Sequence, residues 1–268
     1  MDVIAATTAD LEVDVIGIAA RPIFAGRVAI VTGGTRGIGA AISTELAQLG
    51  AHVAASYRSN VESATQLQEA LAGDGGSVSL HLSDVGQPED CERLVREVID
   101  RHGKVDFLVN NAGITVDRTV RRMTVEDWHA VMRTNVSGAF YMIKAVLEPM
   151  LERGYGRIIN ISSVIGQIGN IGQANYAAAK AGLFGLTQSL AQEVARKGIT
   201  VNTVSPGFIG TEMVSAIPPQ VLDGIVQKIP MRRLGTPEEV ARVVRFLLED
   251  GSSYITGAMY TVNGGLAT

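Results

Sequence analysis

The feature that most constrains the fold of this chain is a glycine-rich turn between a predicted strand and a predicted helix. Residues 27–32, RVAIVT, form an apolar run typical of a buried strand, and GGTRGIG follows at once over residues 33–39. Residues 40–49 then show the apolar spacing of a helix that ends at Gly50. In such a unit free backbone N–H groups and the helix dipole face the turn, so we predict a site for a dinucleotide phosphate. The glycine spacing alone is a weak signal, and a tight turn without a ligand is the alternative.

Strand-like and helical stretches alternate along the rest of the chain. The predicted strands are 27–32, 51–57, 77–82, 105–110, 156–161, 199–205 and 258–262. The predicted helices are 40–49, 60–72, 88–102, 124–151, 173–197 and 236–250. This alternation predicts a single α/β domain with a doubly wound parallel sheet and helices on both faces. Ligands of such a domain bind beyond the carboxyl ends of the strands.

Tyr176 and Lys180 carry the strongest chemical signal. They are four residues apart, so on a helix they lie on one face. An ammonium beside a phenol stabilises phenolate, which makes Tyr176 a candidate general acid or base. Ser163 follows a predicted strand and is available to hydrogen-bond the oxygen that gains or loses the proton. A solvated helix pair is the alternative, but residues 174–185 carry no charge other than Lys180. These residues therefore predict interconversion of a carbonyl and an alcohol.

Two arginines bear on the choice between dinucleotides. Arg36 lies inside the glycine-rich turn, and Arg58 ends the second predicted strand, where no Asp or Glu is present to hold a ribose 2′-OH. Guanidinium groups suit a 2′-phosphate, so NADP(H) is predicted over NAD(H). Two surface arginines without a ligand are the alternative.

Composition and charge exclude several other classes of function. The formal net charge is −4 and the chain has no basic block, so no nucleic-acid partner is expected. Cys91 is the only cysteine, which excludes a disulfide framework and fits a reducing, cytoplasmic compartment. The four histidines lack ligand spacing, so no metal site is predicted. No stretch has the ~20 uncharged apolar residues of a membrane helix, so no membrane partner is expected.

With these residues assembled, the chain resembles the short-chain dehydrogenase/reductase family from about residue 25 to residue 268. The matching motifs are TGGTRGIG at 32–39, Asp84-Val85, Asn110-Asn-Ala-Gly113, Asn135, Ser163, Tyr176 with Lys180, and Ser205-Pro-Gly207. The resemblance implies a Rossmann-type domain with a catalytic tetrad of Asn135, Ser163, Tyr176 and Lys180. In this family the serine steadies the carbonyl oxygen, the tyrosine protonates it, and the lysine lowers the tyrosine pKa and binds the nicotinamide ribose. The asparagine holds a water in the proton path.

The resemblance also implies which residues contact the cofactor and the substrate. The predicted cofactor-binding residues are Gly33, Thr35, Arg36, Gly37, Ile38, Gly39, Arg58, Asp84, Val85, Asn111, Ala112, Gly113, Tyr176, Lys180, Pro206, Gly207, Ile209 and Thr211. The predicted substrate residues are Ser163, Gln173, Tyr176 and Phe208. Ser162 is the competing serine, and Asn110 is interpreted as structural.

Within the family, residues 158–183, 201–214 and 229–235 resemble the β-ketoacyl thioester reductases. This implies reduction of a 3-oxoacyl group carried by coenzyme A or by acyl carrier protein. Residues 216–226 look closer to the type that reduces acetoacetyl-CoA, whereas 169–183 look equally like the carrier-protein type. Arg153, Arg196 and Lys197 form a candidate patch for a phosphopantetheine phosphate or an acidic carrier protein, with solvated helix-end charges as the alternative.

Two segments and the oligomeric state are less constrained. Residues 211–230, with three prolines between apolar positions, are predicted as a small lid over the substrate, with a pair of dimer-contact helices as the alternative. Residues 1–24 lack the basic start of a secretory signal and are treated as an extension before a reductase domain over 25–268. The resemblance implies a homotetramer built on the helices predicted at 124–151 and 173–197.

Two other functions stay open. One is a dehydrogenase of the same fold that acts on a sugar, polyol or steroid alcohol. The other is a dinucleotide-sensing module without catalysis, because a fold alone does not fix a function. A module of that kind would be expected to have lost Tyr176 or Lys180, and both are present.

Overall fold

The computed structural model describes residues 22–73, 76–215 and 218–267. The predicted extension over 1–24 lies outside these ranges except for its last three residues. Phe24, in that short part, is buried and packs edge-on against Phe107, with ring centroids 5.1 Å apart. The structure therefore joins the chain just before the first strand to the core of the domain.

The predicted parallel sheet is confirmed. Among the described residues its strands are β1 Val28–Val31, β2 His52–Tyr57, β3 Ser77–Leu82, β4 Phe107–Asn110, β5 Gly156–Ile161, β6 Ile199–Pro206 and β7 Met259–Val262. They pair in the order β3-β2-β1-β4-β5-β6-β7, and every pair is parallel. The chain winds outward first from β1 to β3 and then from β4 to β7. The carboxyl ends of β1 and β4 are therefore the point where loops diverge and a ligand crevice forms.

The flanking helices follow the predicted helical stretches, and the structure adds three helices between them, α6, α8 and α9. Within the described ranges they are α1 Gly37–Gln48, α2 Val61–Gly73, α3 Pro88–His102, α4 Val125–Met132, α5 Gly138–Arg153, α6 Ile165–Ile168, α7 Ala174–Val194, α8 Glu212–Ser215, α9 Pro219–Lys228 and α10 Pro237–Leu248. The helical stretch predicted over 124–151 is confirmed, and a π-helical turn, Arg133–Ser137, lies within it between α4 and α5. Each helix in these ranges is too short or too polar to span a bilayer.

Burial on both faces explains why the strands read as unbroken apolar runs. In β1, Ala29 and Val31 face one core layer, which includes buried residues of α1 and α10. Val28 and Ile30 face the other layer, which includes buried residues of α3, α5 and α7. The two layers bury nearly all of each central strand and hold the strand ends at fixed positions.

Asn110 has the structural role that its sequence position suggested. Its side-chain N–H donates to the Asn160 side chain at 2.9 Å, and Asn160 in turn donates to Thr187 of α7 at 2.9 Å. Thr187 shares a further hydrogen bond of 2.7 Å with Thr203 of β6. This buried polar chain links β4, β5, β6 and α7 and fixes their relative positions.

Asp106 organises the opposite, amino-terminal edge of the sheet. Its fully buried carboxylate accepts hydrogen bonds from the Val28 N–H at 2.8 Å and from Arg153 at 2.6 Å, and it pairs with Lys104 at 3.2 Å. Burial acts to raise the pKa of Asp106, but these hydrogen bonds outweigh it and hold the pKa below its ordinary value. Arg153, one residue of the predicted patch, thus pairs with Asp106 and keeps 30% of its side chain exposed.

We predict that Asp106→Asn lowers the free energy of unfolding at neutral pH by roughly 2–4 kcal/mol, because the hydrogen-bonded and ion-paired carboxylate is fully buried and its cationic partners lose their counter-charge. Since the folded-state pKa of Asp106 is lowered, its contribution is complete above the ordinary carboxyl pKa and is lost as pH falls through the folded value. The wild-type loss of stability below about pH 4 should therefore be shallower in the variant. Urea unfolding across this pH range measures both effects. Asp250→Asn, whose side chain is 69% exposed, is the matched control and should differ little from wild type; equal losses in both variants would contradict the prediction.

Candidate active site

A cleft of about 680 Å³ opens at the carboxyl edge of the sheet, centred on the ends of β1 and β4. Apart from Asn135, every residue predicted to bind cofactor or substrate lines it. The lining also includes residues that the sequence reading did not assign to the site: Tyr57, Ser59, Asn60, Ser83, Ile114, Thr115, Asp117, Thr134 and Val214. Most of these flank a predicted residue in the chain, and this proximity is the signal that would have found them.

The glycine-rich turn leaves a cradle that side chains would fill. Gly33 and Gly37 have positive φ, at 59° and 51°, which favours glycine. A Cβ on Gly39 would lie only 2.0 Å from the carbonyl oxygen of Gly33, so no side chain fits there. Helix α1 begins at Gly37, and Arg36 before it makes no side-chain cap. The first N–H groups of α1 therefore remain available to an anion.

A clasp of hydrogen bonds joins the end of β1 to the loop after β4. The Thr32 hydroxyl accepts from the backbone N–H groups of Asn111 and Ala112, both at 3.0 Å. The Asn111 side-chain N–H group donates to the carbonyl oxygens of Thr32 and Gly33, also at 3.0 Å. The clasp holds the glycine-rich turn against Ala112 and Gly113, where small residues leave room for a ligand.

The two arginines line the cleft from different loops, Arg36 from the turn before α1 and Arg58 from the end of β2. Arg58 directly follows β2 and is exposed, and Arg36 is exposed at the mouth of the turn. Arg36 lies 3.9 Å from Glu212 of α8, a loose surface ion pair. Both guanidiniums thus face solvent along one wall of the cleft.

Tyr176 and Ser163 meet in the central part of the cleft. Burial raises the pKa of the Tyr176 phenol, a hydrogen bond with Ser163 acts to lower it, and the carboxylate of Asp117 acts to raise it, with a net increase. The phenol is therefore fully protonated at neutral pH. The Ser162 hydroxyl instead donates to the backbone carbonyl of Lys180 at 2.7 Å, which favours Ser163 as the reacting serine.

Lys180 is buried next to this pair. Its ammonium donates to the carbonyl oxygen of Ile161 at 2.7 Å and lies 5.7 Å from the centre of the Tyr176 ring. Burial lowers the pKa of Lys180 to about 8. The net shift of the Tyr176 pKa is upward, with burial as its largest cause. The lowering of the tyrosine pKa by this lysine stays a prediction.

Asn135 lies just behind the cleft, in the π-helical turn. Its side-chain oxygen accepts from the Ile114 N–H at 2.9 Å, and its N–H group donates to the Ile114 carbonyl at 3.0 Å. A Cβ on Gly113 would lie 3.4 Å from the Asn135 oxygen and 3.5 Å from the Lys180 nitrogen. The structure thus brings Asn135 and Lys180 to the same backbone position. π-Helical turns inside helices are frequent at functional sites.

Two amide side chains fix the entrance to the helix that carries Tyr176. Buried Asn175 accepts from the Tyr176 N–H at 2.8 Å and donates to the Val116 carbonyl at 3.1 Å. Gln173 donates to both carboxylate oxygens of Asp117, at 3.1 and 3.0 Å. Asn175 and Asp117 were not predicted, because their roles depend on the β4 loop lying against the start of α7.

Comparison with known proteins gives matches over nearly the whole chain. A family model described as enoyl-(acyl carrier protein) reductase matches residues 33–267. An acetoacetyl-CoA reductase of Shinella zoogloeoides is 50% identical over 240 residues, covering 89% of this chain and 98% of the relative. An acetoacetyl-CoA reductase of Allochromatium vinosum is 48% identical over 241 residues, with 90% and 98% covered. The 3-oxoacyl-[acyl-carrier-protein] reductase FabG of Escherichia coli is 46% identical over 243 residues, with 91% and 98% covered.

We predict that Gly39→Ala weakens binding of a nicotinamide dinucleotide by at least about tenfold, because the added Cβ displaces the turn. Fluorescence titration with the reduced dinucleotide measures the loss. Gly251→Ala is the matched control, since a Cβ there meets nothing within 4 Å and the site lies at the other edge of the sheet. Wild-type affinity in Gly39→Ala would contradict the assignment of the cradle.

Proposed function

Because this chain belongs to the short-chain dehydrogenase/reductase family, we propose that it uses NADPH to reduce the 3-oxo group of an acyl thioester to the 3-hydroxy group. The observation that carries the proposal is the meeting of Ser163, protonated Tyr176 and buried Lys180 in the same cleft as the glycine cradle. That combination supplies a proton donor and a dinucleotide site to one carbonyl. It also argues against a sensing module, which has no use for a proton donor.

The residues present fit a dinucleotide, because the turn at Gly33, Gly37 and Gly39 carries no side chains that would fill the space for its phosphates. When bound, the cofactor supplies the hydride for the 3-oxo carbon. We propose that Arg36 and Arg58 hold the 2′-phosphate of NADP(H), and that Asp84 and Val85 lie beside the adenine. Asn111, Ala112 and Gly113, with Pro206, Gly207, Ile209 and Thr211, would line the rest of the cofactor site.

We propose that Tyr176 gives its proton to the carbonyl oxygen, since burial keeps the phenol protonated at neutral pH. The Ser163 hydroxyl donates a hydrogen bond to the same oxygen and polarises the carbonyl. As the phenol loses its proton, the Lys180 ammonium stabilises the phenolate. Asn135 fixes the Ile114 backbone beside Lys180 and orders the path by which the proton is replaced.

The substrate that we favour is acetoacetyl-CoA. Relatives with that name are 48–50% identical to this chain, and those named for the carrier-protein substrate are 45–47% identical. Gln173 and Phe208 line the cleft where they would flank a short acyl chain. The small difference in identity keeps a 3-oxoacyl group on acyl carrier protein as the second candidate.

The domain over 25–268, the lid, the assembly and the compartment belong to the same proposal. The lid over 211–230 is supported because Glu212 and Val214 line the cleft and no described residue of α9 is buried. A homotetramer through α4, α5 and α7 is supported by the exposed apolar side chains of Val125, Trp128 and Phe140. We place the enzyme in the cytoplasm, in line with its CoA-linked chemistry.

We predict fast oxidation of NADPH with acetoacetyl-CoA and slower oxidation with the carrier-protein thioester, as measured by loss of NADPH absorbance. Tyr176→Phe should lower kcat by at least about a hundredfold while NADPH binding stays near wild type, because only the proton donor is removed. The control Tyr155→Phe changes a tyrosine at the far edge of the sheet that bonds Asp250 and should retain activity. Strong preference for the carrier-protein thioester would select the second candidate substrate. No NADPH oxidation with either thioester would overturn the proposal.

We predict that Arg58→Asp weakens NADPH binding by about 1–3 kcal/mol and reduces the difference in affinity between NADPH and NADH. The reason is that a carboxylate repels the 2′-phosphate and accepts a hydrogen bond from a 2′-OH. The ratio of kcat/KM for the two cofactors measures the change. Arg96→Asp, on the outer helix α3, is a charge-matched control. An unchanged ratio in Arg58→Asp would remove this residue from the 2′-phosphate site.

A further inference from the structure

The proposed substrate is linear, and its reacting carbonyl lies inside the chain. The thioester with its carrier extends from one side of the 3-oxo group, and the acyl tail extends from the other. A site for this substrate therefore needs two exits from the reacting centre. For acetoacetyl-CoA the acyl side is a single methyl group, so the second exit can be almost closed.

A second cavity of about 430 Å³ lies beside the cleft, and we refer to it as the side chamber. Its wall is formed by the segment after α9 and by the chain after β7. Apolar contributions come from Ile229, Met231, Val262 and Ala267. Its volume is within the range of about 300–1,000 Å³ for small-molecule sites. Arg233 and Glu239 also line it, but they pair with each other at 2.6 Å, so their charges are matched.

Phe208 is the only described residue that lines both the cleft and the side chamber. Its ring is half-buried, and it follows the end of β6, two residues after Pro206. Phe208 therefore forms part of the wall of both the cleft, which holds Ser163 and Tyr176, and the side chamber, whose apolar lining suits a hydrocarbon chain.

The backbone around Phe208 is held in place, so the opening depends on the side chain. The Gly207 N–H donates to the Val262 carbonyl at 2.8 Å, and the Phe208 carbonyl accepts from the Gly235 N–H at 3.0 Å. A Cβ on Gly207 would lie 2.7 Å from the Cα of Asn263, which shows how closely the ends of β6 and β7 approach. We therefore expect replacement of the ring by a methyl group to open the side chamber towards the cleft while the strands keep their hydrogen bonds.

We infer that the side chamber is an acyl-chain site that the Phe208 ring closes, so that Phe208 restricts the enzyme to short 3-oxoacyl thioesters. The inference rests on the proposed function and extends it to chain length. A buried methylene is worth about 0.8 kcal/mol, or a few-fold in rate or affinity, so several added methylenes give a large signal once the chamber is open.

The test compares kcat/KM for 3-oxobutanoyl-CoA and 3-oxooctanoyl-CoA. Phe208→Ala should raise the ratio in favour of the longer chain by at least about tenfold. Phe246→Ala, which removes a half-exposed ring on α10 away from both cavities, should leave the ratio at its wild-type value. Adding Ala267→Phe to Phe208→Ala refills the chamber from its far wall and should return the ratio towards wild type.

A second readout does not depend on turnover. Calorimetry with octanoyl-CoA and butyryl-CoA, which cannot be reduced at a 3-oxo group, should show tighter octanoyl binding, by about tenfold, only in Phe208→Ala. Phe208→Leu removes less side-chain volume and should give an intermediate gain in octanoyl-CoA affinity. This variant replaces Phe208→Ala in the test if the alanine variant does not fold.

The outcomes separate two failures. A wild-type enzyme that reduces neither the CoA nor the carrier-protein thioester overturns the proposed function. If the wild type is instead active while the Phe208 variants keep its chain-length ratio and its octanoyl-CoA affinity, that result overturns the assignment of the side chamber as an acyl-chain site. If the increased ratio of Phe208→Ala is unchanged when Ala267→Phe is added, the acyl tail binds elsewhere, and the assignment of the side chamber is again overturned.

Discussion

The active-site cleft depends on the clasp between the end of β1 and the loop after β4. At this point the chain reverses the direction in which it adds strands, so the neighbouring loops diverge and would leave an unsupported gap. The Thr32 hydroxyl and the Asn111 amide span the gap with four hydrogen bonds of 3.0 Å. Both the phosphate cradle and the backbone beside Lys180 are continuous with these two residues, so the geometry of the cofactor site and that of the proton donor are set together.

A second constraint is the burial of one positive charge. Lys180 has lost most of its water, and its ammonium keeps one strong hydrogen bond, to Ile161. Burial lowers the pKa of Lys180 to about 8 and raises the pKa of Tyr176 above its ordinary value, so it acts on each group to favour the neutral form. Perturbed pKa values of this kind are concentrated at functional sites. A solvated pair at the same spacing would have ordinary pKa values far from neutrality.

The parts of the site that the sequence predicts are those set by local chemistry. The glycine cradle and the Tyr176–Lys180 spacing need only a strand, a turn and a helix, and the structure places them together. The π-helical turn between α4 and α5 was not predicted, nor was the contact of its Asn135 amide with Ile114, because these two residues are 21 positions apart in the chain. The ion pair of Arg153 was not predicted either, since its partner Asp106 lies just before β4 and 47 positions away in the chain. The double role of Phe208 depends on two cavities that only the folded chain creates.

Arg58 and the catalytic group lie on different parts of the sheet. Arg58 follows β2, whereas Ser163 follows β5, and the strands β1 and β4 lie between them. Substitutions at the end of β2 can therefore accumulate without disturbing the alignment of serine, tyrosine and lysine. On the role proposed for Arg58, the preference for one pool of reducing equivalents over another is separable in evolution from the reaction itself. A lineage could then change the redox supply from biosynthetic to catabolic while the proposed chemistry stays intact.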